Sequence, residues 1–305
     1  MHEVVILSLA EESAGCGDAC GCSPAEKAEK AAPGSRVPVL TCADGLRREG
    51  ASPQLVTACS EPEVDVALKS AIAGDARLIL AVASDSELRA VMRRLVRHHA
   101  PPPSKRPAEL PPGRTVFDLP PVGILPLHPS VPELVPRLGL PTDPAEVAAA
   151  VAAGRTARFD LLRNDGGSIT MHAALLGGLD ATGAVGVWRG RVEVDDTVLA
   201  DGEEPLVACA IGNAGPVELD GLPLLTGASP TDGAVDVAIA VPRVHKRMLR
   251  PDSVEFEVRR ARGRAVSVTP RDGADLHFVD DGVSGVLTRK RAWWTEPAVW
   301  AAYLT

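Results

Sequence analysis

The sequence predicts a protein of two domains: an N-terminal α/β domain with a parallel sheet and a C-terminal antiparallel β-sandwich. Its 305 residues, 45% of them hydrophobic, exceed what one domain of usual size contains. The N-terminal half alternates apolar runs with helical spacing, and after Arg155 the pattern changes to short strands joined by Gly and Asp turns. We therefore expect domains at residues 1–156 and 157–287, and a C-terminal segment, 288–305, that returns to the first domain.

Apolar runs and helical spacing alternate through the first hundred residues. They predict strands at Val4–Leu9, Gln54–Ala58 and Arg77–Ala83, and helices at Glu61–Ile72 and Ser86–His99. Because strands that alternate with helices form βαβ units, we expect these strands to be parallel.

A proline-rich segment interrupts this pattern. Eight prolines lie between Ala100 and Pro121, and proline cannot continue a helix or a central strand, so we expect an exposed loop. Three elements follow it: a buried strand at Val122–Pro126, a short helix at Glu133–Leu138, and a helix at Pro144–Ala153 with Asp143 as its N-cap and Gly154 as its stop.

The remainder of the chain carries hairpin signals. Predicted strands at Ala157–Asn164 and Ser168–Leu176 flank Asp165-Gly166-Gly167, a typical hairpin turn. Further strands are predicted at Val185–Val194, Leu206–Ile211, Ala234–Val241, Ser253–Arg260 and Ala265–Thr269. Many short strands joined by Gly and Asp turns are typical of a β-sandwich.

Composition excludes some classes of protein. The net charge is −8 and the pI is near 5.4, and no motif combines aromatic with basic residues, so the sequence argues against a nucleic-acid binder. The apolar run Val4–Ala10 lacks a preceding basic region, which argues against a secretory signal. No apolar run reaches the roughly eighteen residues that a transmembrane helix needs. We expect a soluble, cytoplasmic protein.

Several short motifs, taken together, identify a resemblance. They are Gly123-Ile124-Leu125-Pro126, Leu138-Gly139-Leu140-Pro141, Arg158-Phe159-Asp160-Leu161, Ile211-Gly212-Asn213, and the stretch from Thr231-Asp232-Gly233 to Val237. In this order the motifs resemble those of the diacylglycerol-kinase and sphingosine-kinase-like lipid kinases, which are related to NAD kinases. The resemblance implies an α/β domain and a β-sandwich domain with a cleft between them, where ATP and Mg²⁺ would bind.

The phosphate-binding loops depart from the family pattern. The family's Gly-Gly-Asp-Gly-Thr aligns with Ala83–Glu87, and its Gly-Thr-Gly-Asn-type loop aligns with His128–Val131, so the resemblance places Ser84, Asp85, Ser86, His128 and Ser130 at cofactor-binding positions. Such loops need glycine so that backbone N–H groups can approach an anion closely. The carboxylate of Glu87 would repel a phosphate at ~4 Å by about 4 kcal/mol at an effective dielectric of 20, about a thousandfold in affinity.

Three aspartates keep their places in the family motifs. The resemblance implies that Asp281, in Asp281-Gly282-Val283, is the general base, that Asp85 organises Mg²⁺, and that Asp232 is a further candidate metal ligand. An alternative explains each aspartate by local structure. Asp85 can cap the helix that follows it, and Asp232 and Asp281 precede glycine, as turn aspartates commonly do.

Five of the six cysteines lie in the first 59 residues. Cys16, Cys20 and Cys22 follow the first predicted strand, and with Cys42 or Cys59 as a fourth ligand they could bind Zn²⁺ or another soft metal. A redox-reactive cluster and ordinary loop thiols are the two alternatives. Elsewhere, Arg89, Arg93 and Arg97 recur at helical spacing and could face a phosphate or an anionic headgroup, or could form a solvated helix face.

Two functions of different classes follow. The first is a catalytically degenerate relative of the lipid kinases, with a binding or sensing role in the cleft or in the cysteine-rich loop. The second is an active ATP-dependent kinase of a lipid or other hydroxyl compound. The altered phosphate loops favour the first. Both imply a small-molecule or lipid ligand, and a homodimer is compatible with either.

Overall fold

The structure is a computed structural model that describes residues 2–10, 33–128, 133–179, 185–245, 253–271 and 275–305. Cys16, Cys20, Cys22 and Ser130 lie outside the described residues. The chain divides into two compact units. The first comprises Met1–Ala100, Phe117–Arg158 and Trp300–Thr305, and the second comprises Pro101–Val116 and Phe159–Val299. The domain bounds expected from the sequence stay a prediction, because these units describe compactness and not independent folding.

The first unit contains a parallel sheet, as the sequence predicts. Its strands are β1 Glu3–Leu9, β2 Ser52–Ala58, β3 Arg77–Val82 and β4 Val122–Pro126, in the order β4-β3-β1-β2. All three pairings are parallel. The central strands are almost fully buried, which explains their continuous apolar sequences.

Five α-helices and one short 3₁₀ turn are described. They are α1 Pro33–Arg48, α2 Glu61–Ala73, α3 Asp85–His99, the 3₁₀ turn Pro103–Lys105, α4 Leu134–Arg137 and α5 Pro144–Ala153. The predicted cap of α5 is confirmed: the Asp143 carboxylate accepts from the N–H groups of Ala145 and Glu146, and Gly154 ends the helix with φ 73°. Within the described residues, no helix has both the length and the apolar composition needed to cross a bilayer.

Helix α1 has no counterpart among the sequence predictions. Pro38 and Gly45 lie inside it, and both lower intrinsic helix propensity. Packing explains the glycine: a Cβ atom at Gly45 would lie 2.7 Å from the Cβ of Ala148 on α5. The close approach of α1 and α5 therefore compensates for a sequence that is locally unfavourable for a helix.

The second unit is built from antiparallel strands, also as predicted. Its strands are most of β5 Thr156–Asn164, β6 Ile169–Thr170, β7 Ala173–Leu179, β8 Val185–Gly186, β9 Gly190–Val194, β10 Thr197–Asp201, β11 Ala208–Gly212, β12 Gly215–Leu219, β13 Leu222–Ala228, β14 Val235–His245, β15 Ser253–Gly263, β16 Ala265–Pro270, β17 Leu276–Asp280, β18 Val283–Leu287 and the first part of β19 Arg291–Tyr303. One sheet has the order β15-β14-β11-β7-β17-β18, another the order β10-β9-β16-β19, and β12 pairs with β13. The last residues of β19 belong to the first unit, where Ala302 pairs with Val122.

Two predicted strands are each divided into two. Ser168–Leu176 separates into β6 and β7, and Val185–Val194 separates into β8 and β9. In both cases the two pieces pair with different neighbours, since β6 joins β5 whereas β7 joins β11. Because the apolar pattern continues across each break, the pattern does not predict where one strand ends and the next begins.

The proline-rich segment is exposed only in part. Val116 and Leu119 are 0% and 1% exposed, so the expectation of an exposed loop is wrong for this end of the segment. In the second unit, the Thr115 N–H donates to the buried carboxylate of Glu296 at 2.6 Å, and the Thr115 hydroxyl binds the same carboxylate. This carboxylate fixes a backbone that has no secondary structure of its own.

We expect Gly45→Ala to destabilise the protein by about 1 kcal/mol, although alanine is the better helix former. Overpacking against Ala148 costs ~1–3 kcal/mol, and the gain in propensity is at most ~1 kcal/mol. Ala148→Gly removes the overlapping methyl group, so Gly45→Ala should become neutral or stabilising in that background. Denaturant unfolding of the four proteins of this cycle measures the coupling; additive effects would contradict the packing explanation.

Candidate functional site

The turn between β3 and α3 contains the residues aligned with the family's first phosphate loop. Ser84 is the N-cap of α3, and its hydroxyl accepts a hydrogen bond from the Glu87 N–H at 3.2 Å. In return, the Glu87 carboxylate accepts from the Ala83 N–H at 2.8 Å. This reciprocal arrangement is a variant of the capping box, in which the Glu87 carboxylate accepts from the N–H of the residue before the N-cap. The N–H groups of Ala83 and Glu87 therefore already have acceptors from the chain.

The carboxylate of Asp85 points to the next loop. Its oxygens accept from the N–H groups of Glu133 and Leu134 at 3.0 and 3.2 Å, at the start of α4. The alternative that Asp85 caps α3 is therefore wrong, because Ser84 caps α3 and Asp85 binds α4. Ser86 contributes a hydroxyl that shares a hydrogen bond with the Ser84 hydroxyl at 2.8 Å.

The same capping device occurs at the turn after β2. The Ser60 hydroxyl accepts from the Glu63 N–H at 3.4 Å, and the Glu63 carboxylate accepts from the Cys59 N–H at 2.8 Å. The Ser-x-x-Glu spacing that signals both caps is visible in the sequence. Two neighbouring βα turns are thus closed by the same local chemistry.

The residues of the β3–α3 turn do not fit a nucleotide phosphate as a glycine loop would. A phosphate loop offers free N–H groups to the anion. Here the cap leaves neither Ala83 nor Glu87 with a free N–H, and it places a carboxylate beside them. His128 is exposed after β4.

Asp281, the candidate base, lies in the turn between β17 and β18 with φ 47°. It is 6% exposed, and its carboxylate accepts from three consecutive N–H groups, those of Met171, His172 and Ala173, at 2.6, 2.9 and 3.0 Å. These residues span the break between β6 and β7. The carboxylate thus supplies acceptors where the chain leaves one sheet for another.

Asn213 and Asp160 also bind backbone groups of the second unit, and Asn213 contacts the β6–β7 break. The Asn213 amide donates to the backbone oxygens of Met171 and Asp160 at 2.8 and 3.1 Å. The Asp160 carboxylate accepts from the N–H groups of Gly233 and Ala298, both at 2.6 Å. Burial raises the pKa of Asp160, and these two hydrogen bonds oppose that shift. Three of the family-motif residues therefore form buried hydrogen bonds to backbone in the second unit.

Asp232, the candidate metal ligand, forms an ion pair with Arg262, and its carboxylate accepts from the Ala234 N–H at 3.1 Å. The second contact is that of a turn aspartate, as the alternative interpretation expects. Among the residues that the structure describes, no three His, Cys, Asp or Glu side chains are grouped as a metal site requires. A metal-binding role for Asp232 stays a prediction.

Two of the cysteines considered as fourth ligands have opposite environments. Cys42 is fully buried on α1, and burial raises its pKa to about 12, whereas Cys59 is exposed. A metal ligand must be the thiolate, so burial disfavours Cys42 in that role. The metal site at the cysteine cluster stays a prediction, with Cys59 as the more accessible partner.

We expect Asp281→Asn to lower the free energy of unfolding by about 2 kcal/mol, because an amide presents one acceptor oxygen and one NH₂ group to three N–H donors. Asp220→Asn is the matched control, since Asp220 also precedes glycine in a hairpin turn and has φ 48°. Its exposed side chain should make the change nearly neutral. Equal stabilities of the two variants in chemical denaturation would show that the Asp281 carboxylate has no structural role.

Comparison with known proteins identifies the fold. No family model and no curated protein match the sequence. Among solved structures, a diacylglycerol kinase from Bacillus anthracis str. Sterne is 13% identical with a TM-score of 0.64, over 99% of this chain and 96% of that chain. A structure described as a putative diacylglycerol kinase from the same organism is 12% identical with a TM-score of 0.65, over 99% and 97% of the two chains. The chain therefore has the fold of the solved diacylglycerol kinases.

Proposed function

We propose that this protein is a catalytically degenerate form of the diacylglycerol kinase fold, which binds a ligand without transferring phosphate. The observation that carries the proposal is the capping box at the β3–α3 turn. There the N–H groups of Glu87 and Ala83, which lie in the segment aligned with the family's first phosphate loop, donate to the side chains of Ser84 and Glu87. Asp85, the one aligned residue that is unchanged, is engaged by the start of α4.

Two free-energy costs oppose the binding of a triphosphate at the capped β3–α3 turn. To admit a triphosphate at this turn, Glu87 would have to release the Ala83 N–H, and the loss of such a cap costs about 1 kcal/mol. A carboxylate that stays within ~4 Å of the phosphate adds about 4 kcal/mol of repulsion. Repulsion is therefore the larger obstacle, and the identity of residue 87 matters more than the missing glycines alone.

The contacts of Asp281 also support a structural role. A general base must have an oxygen within hydrogen-bond reach of the proton that it removes. Both oxygens of Asp281 accept from backbone N–H groups, and protonation would weaken three of these bonds together. We infer that Asp281 holds the β6–β7 break and does not exchange protons with a substrate.

An active kinase is the second candidate. The fold and the retained positions of Asp85 and Asp281 favour it, with Asp85 organising Mg²⁺ and Asp281 as base. In that case ATP would be the phosphoryl donor and a diacylglycerol or another hydroxyl compound the acceptor. The solved structures of similar fold are diacylglycerol kinases, so a lipid is the ligand class that we propose under either function.

Other properties expected from the sequence are proposed here as well. We propose a cytoplasmic location and leave a homodimer as a compatible assembly. A metal-binding or redox role for Cys16, Cys20 and Cys22 remains a prediction outside the described residues. Metal analysis of protein prepared without chelator, together with thiol counting, tests it.

We expect the native protein to show no measurable binding of ATP–Mg²⁺ by calorimetry. In the variant Ser84→Gly/Ser86→Gly/Glu87→Thr, nucleotide affinity should rise, by up to about a thousandfold less solvent screening, because the repelling carboxylate is gone. The matched control is Ser60→Gly/Glu63→Thr, which removes the equivalent cap from α2. It should lose a similar amount of stability and gain no nucleotide affinity.

One result would reverse the ranking of the two functions. If the native protein phosphorylates diacylglycerol with ATP, and Asp281→Asn abolishes that activity while the variant remains folded, the protein is a kinase and Asp281 is its base. Micromolar binding of ATP–Mg²⁺ by the native protein would by itself contradict a closed phosphate position.

A further inference from the structure

A row of arginines on α3 is not a solvated helix face. Arg89, Arg93 and Arg97 follow one another at intervals of four residues, so their side chains lie along one side of the helix. Arg89 is only 7% exposed and Arg93 is partly buried, whereas Arg97 is exposed. The interpretation of this pattern as a solvated helix face is therefore wrong for two of the three arginines. We call these three residues the arginine row.

The charge of the neighbouring Arg94, in contrast, is compensated by carboxylates. It forms ion pairs with Glu61 and Asp65 of α2, the second at 2.6 Å, and Asp65 also contacts His98 at 3.2 Å. The carboxylates that α2 presents to α3 are thus bound to Arg94. Glu61 attracts Arg93 as well, but it does not form an ion pair with it in the described part of the chain.

Arg93 lacks such compensation. Within the described residues its buried Nε has no hydrogen-bond acceptor. Burial, followed by repulsion from Arg97, lowers the pKa of its guanidinium group. A buried N–H donor without an acceptor is unfavourable unless something else supplies one. In a protein of net charge −8, with 40 Asp and Glu residues, carboxylates are abundant elsewhere.

Helix stability explains only one member of the row. Arg97 lies in the last turn of α3, where a cation interacts favourably with the helix dipole. Arg93 lies a full turn earlier, where the dipole has little effect, so its burial next to two other cations needs a different explanation.

We propose that the arginine row, centred on Arg93 and Arg97, binds a phosphate oxyanion. The planar guanidinium group presents paired donors that match phosphate oxygens, and one oxyanion can accept from two arginines one helical turn apart. It would supply the missing acceptor of Arg93 and reduce the repulsion within the row. The phosphate could belong to a phospholipid headgroup or to a soluble phosphate compound, because both present the same oxygens.

This site is separate from the capped turn at Ser84–Glu87, and it does not depend on the proposed function. If the native protein proves to be a kinase, the proposed function fails and the arginine row can still bind phosphate. If phosphate binding is unaffected by changes in the row, this inference fails and the capped turn is unaffected.

The test measures binding of inorganic phosphate by calorimetry at constant ionic strength, and sedimentation with phosphatidylcholine vesicles that contain phosphatidic acid. The variant is Arg93→Gln/Arg97→Gln. The matched control is Arg47→Gln/Arg48→Gln, which removes the same charge from the exposed last turn of α1. We expect about tenfold or greater loss of affinity in the first variant and no change in the control.

Binding of phosphate without vesicle binding would identify a soluble ligand, and vesicle binding that requires phosphatidic acid would identify a lipid headgroup; both support the site. The proposed site would be overturned if the native protein bound neither phosphate nor vesicles. It would also be overturned if the variant and its control lost equal affinity. If Arg93→Gln/Arg97→Gln does not fold, the same binding measurements on Arg93→Lys test the site. Weaker binding in that variant supports paired guanidinium contacts, and unchanged binding rejects them.

Discussion

A backbone N–H at the first turn of a buried helix must have an acceptor, and in this fold the acceptor can be a bound phosphate or the chain itself. Here the Ser84 hydroxyl accepts from the Glu87 N–H of α3, and the Asp85 carboxylate accepts from the Leu134 N–H of α4. We propose that a phosphate at the β3–α3 turn would have to compete with these side-chain acceptors. The function that we propose follows from this competition.

In the second unit, backbone N–H groups also need side-chain acceptors, at the break between β6 and β7. Residues 171–173 lie where the chain leaves β6 for β7, so their N–H groups lack a complete ladder. Asp281 accepts from all three, and Asn213 donates to the carbonyl of Met171. A buried carboxylate is costly unless it is hydrogen-bonded, and here backbone donors satisfy it.

Several residues of the motifs that resemble those of the lipid kinases have structural contacts in this chain. Gly123 is needed for packing, because a Cβ atom there would lie 2.8 Å from Val151 of α5. Asp160, Asn213 and Asp281 each hold backbone in the second unit. These motif residues therefore have structural roles in this chain. The arginine row on α3 is the place that we propose for an anion.

The sequence by itself determined the fold class, most strand and helix positions in the first unit, and the cap of α5, because periodicity and Asp, Pro and Gly signals are local. It also determined that Ala83–Glu87 and His128–Val131 lack glycine. Only the tertiary structure decided the partners of the remaining side chains. Helix α1 forms against its own propensity because Gly45 packs on Ala148, and Asp85 binds a helix that begins 49 residues further along the chain. The breaks after β6 and β8 are likewise invisible in the pattern. Whether a carboxylate caps, catalyses or repels depends on which N–H groups surround it, and distant parts of the chain supply most of those groups.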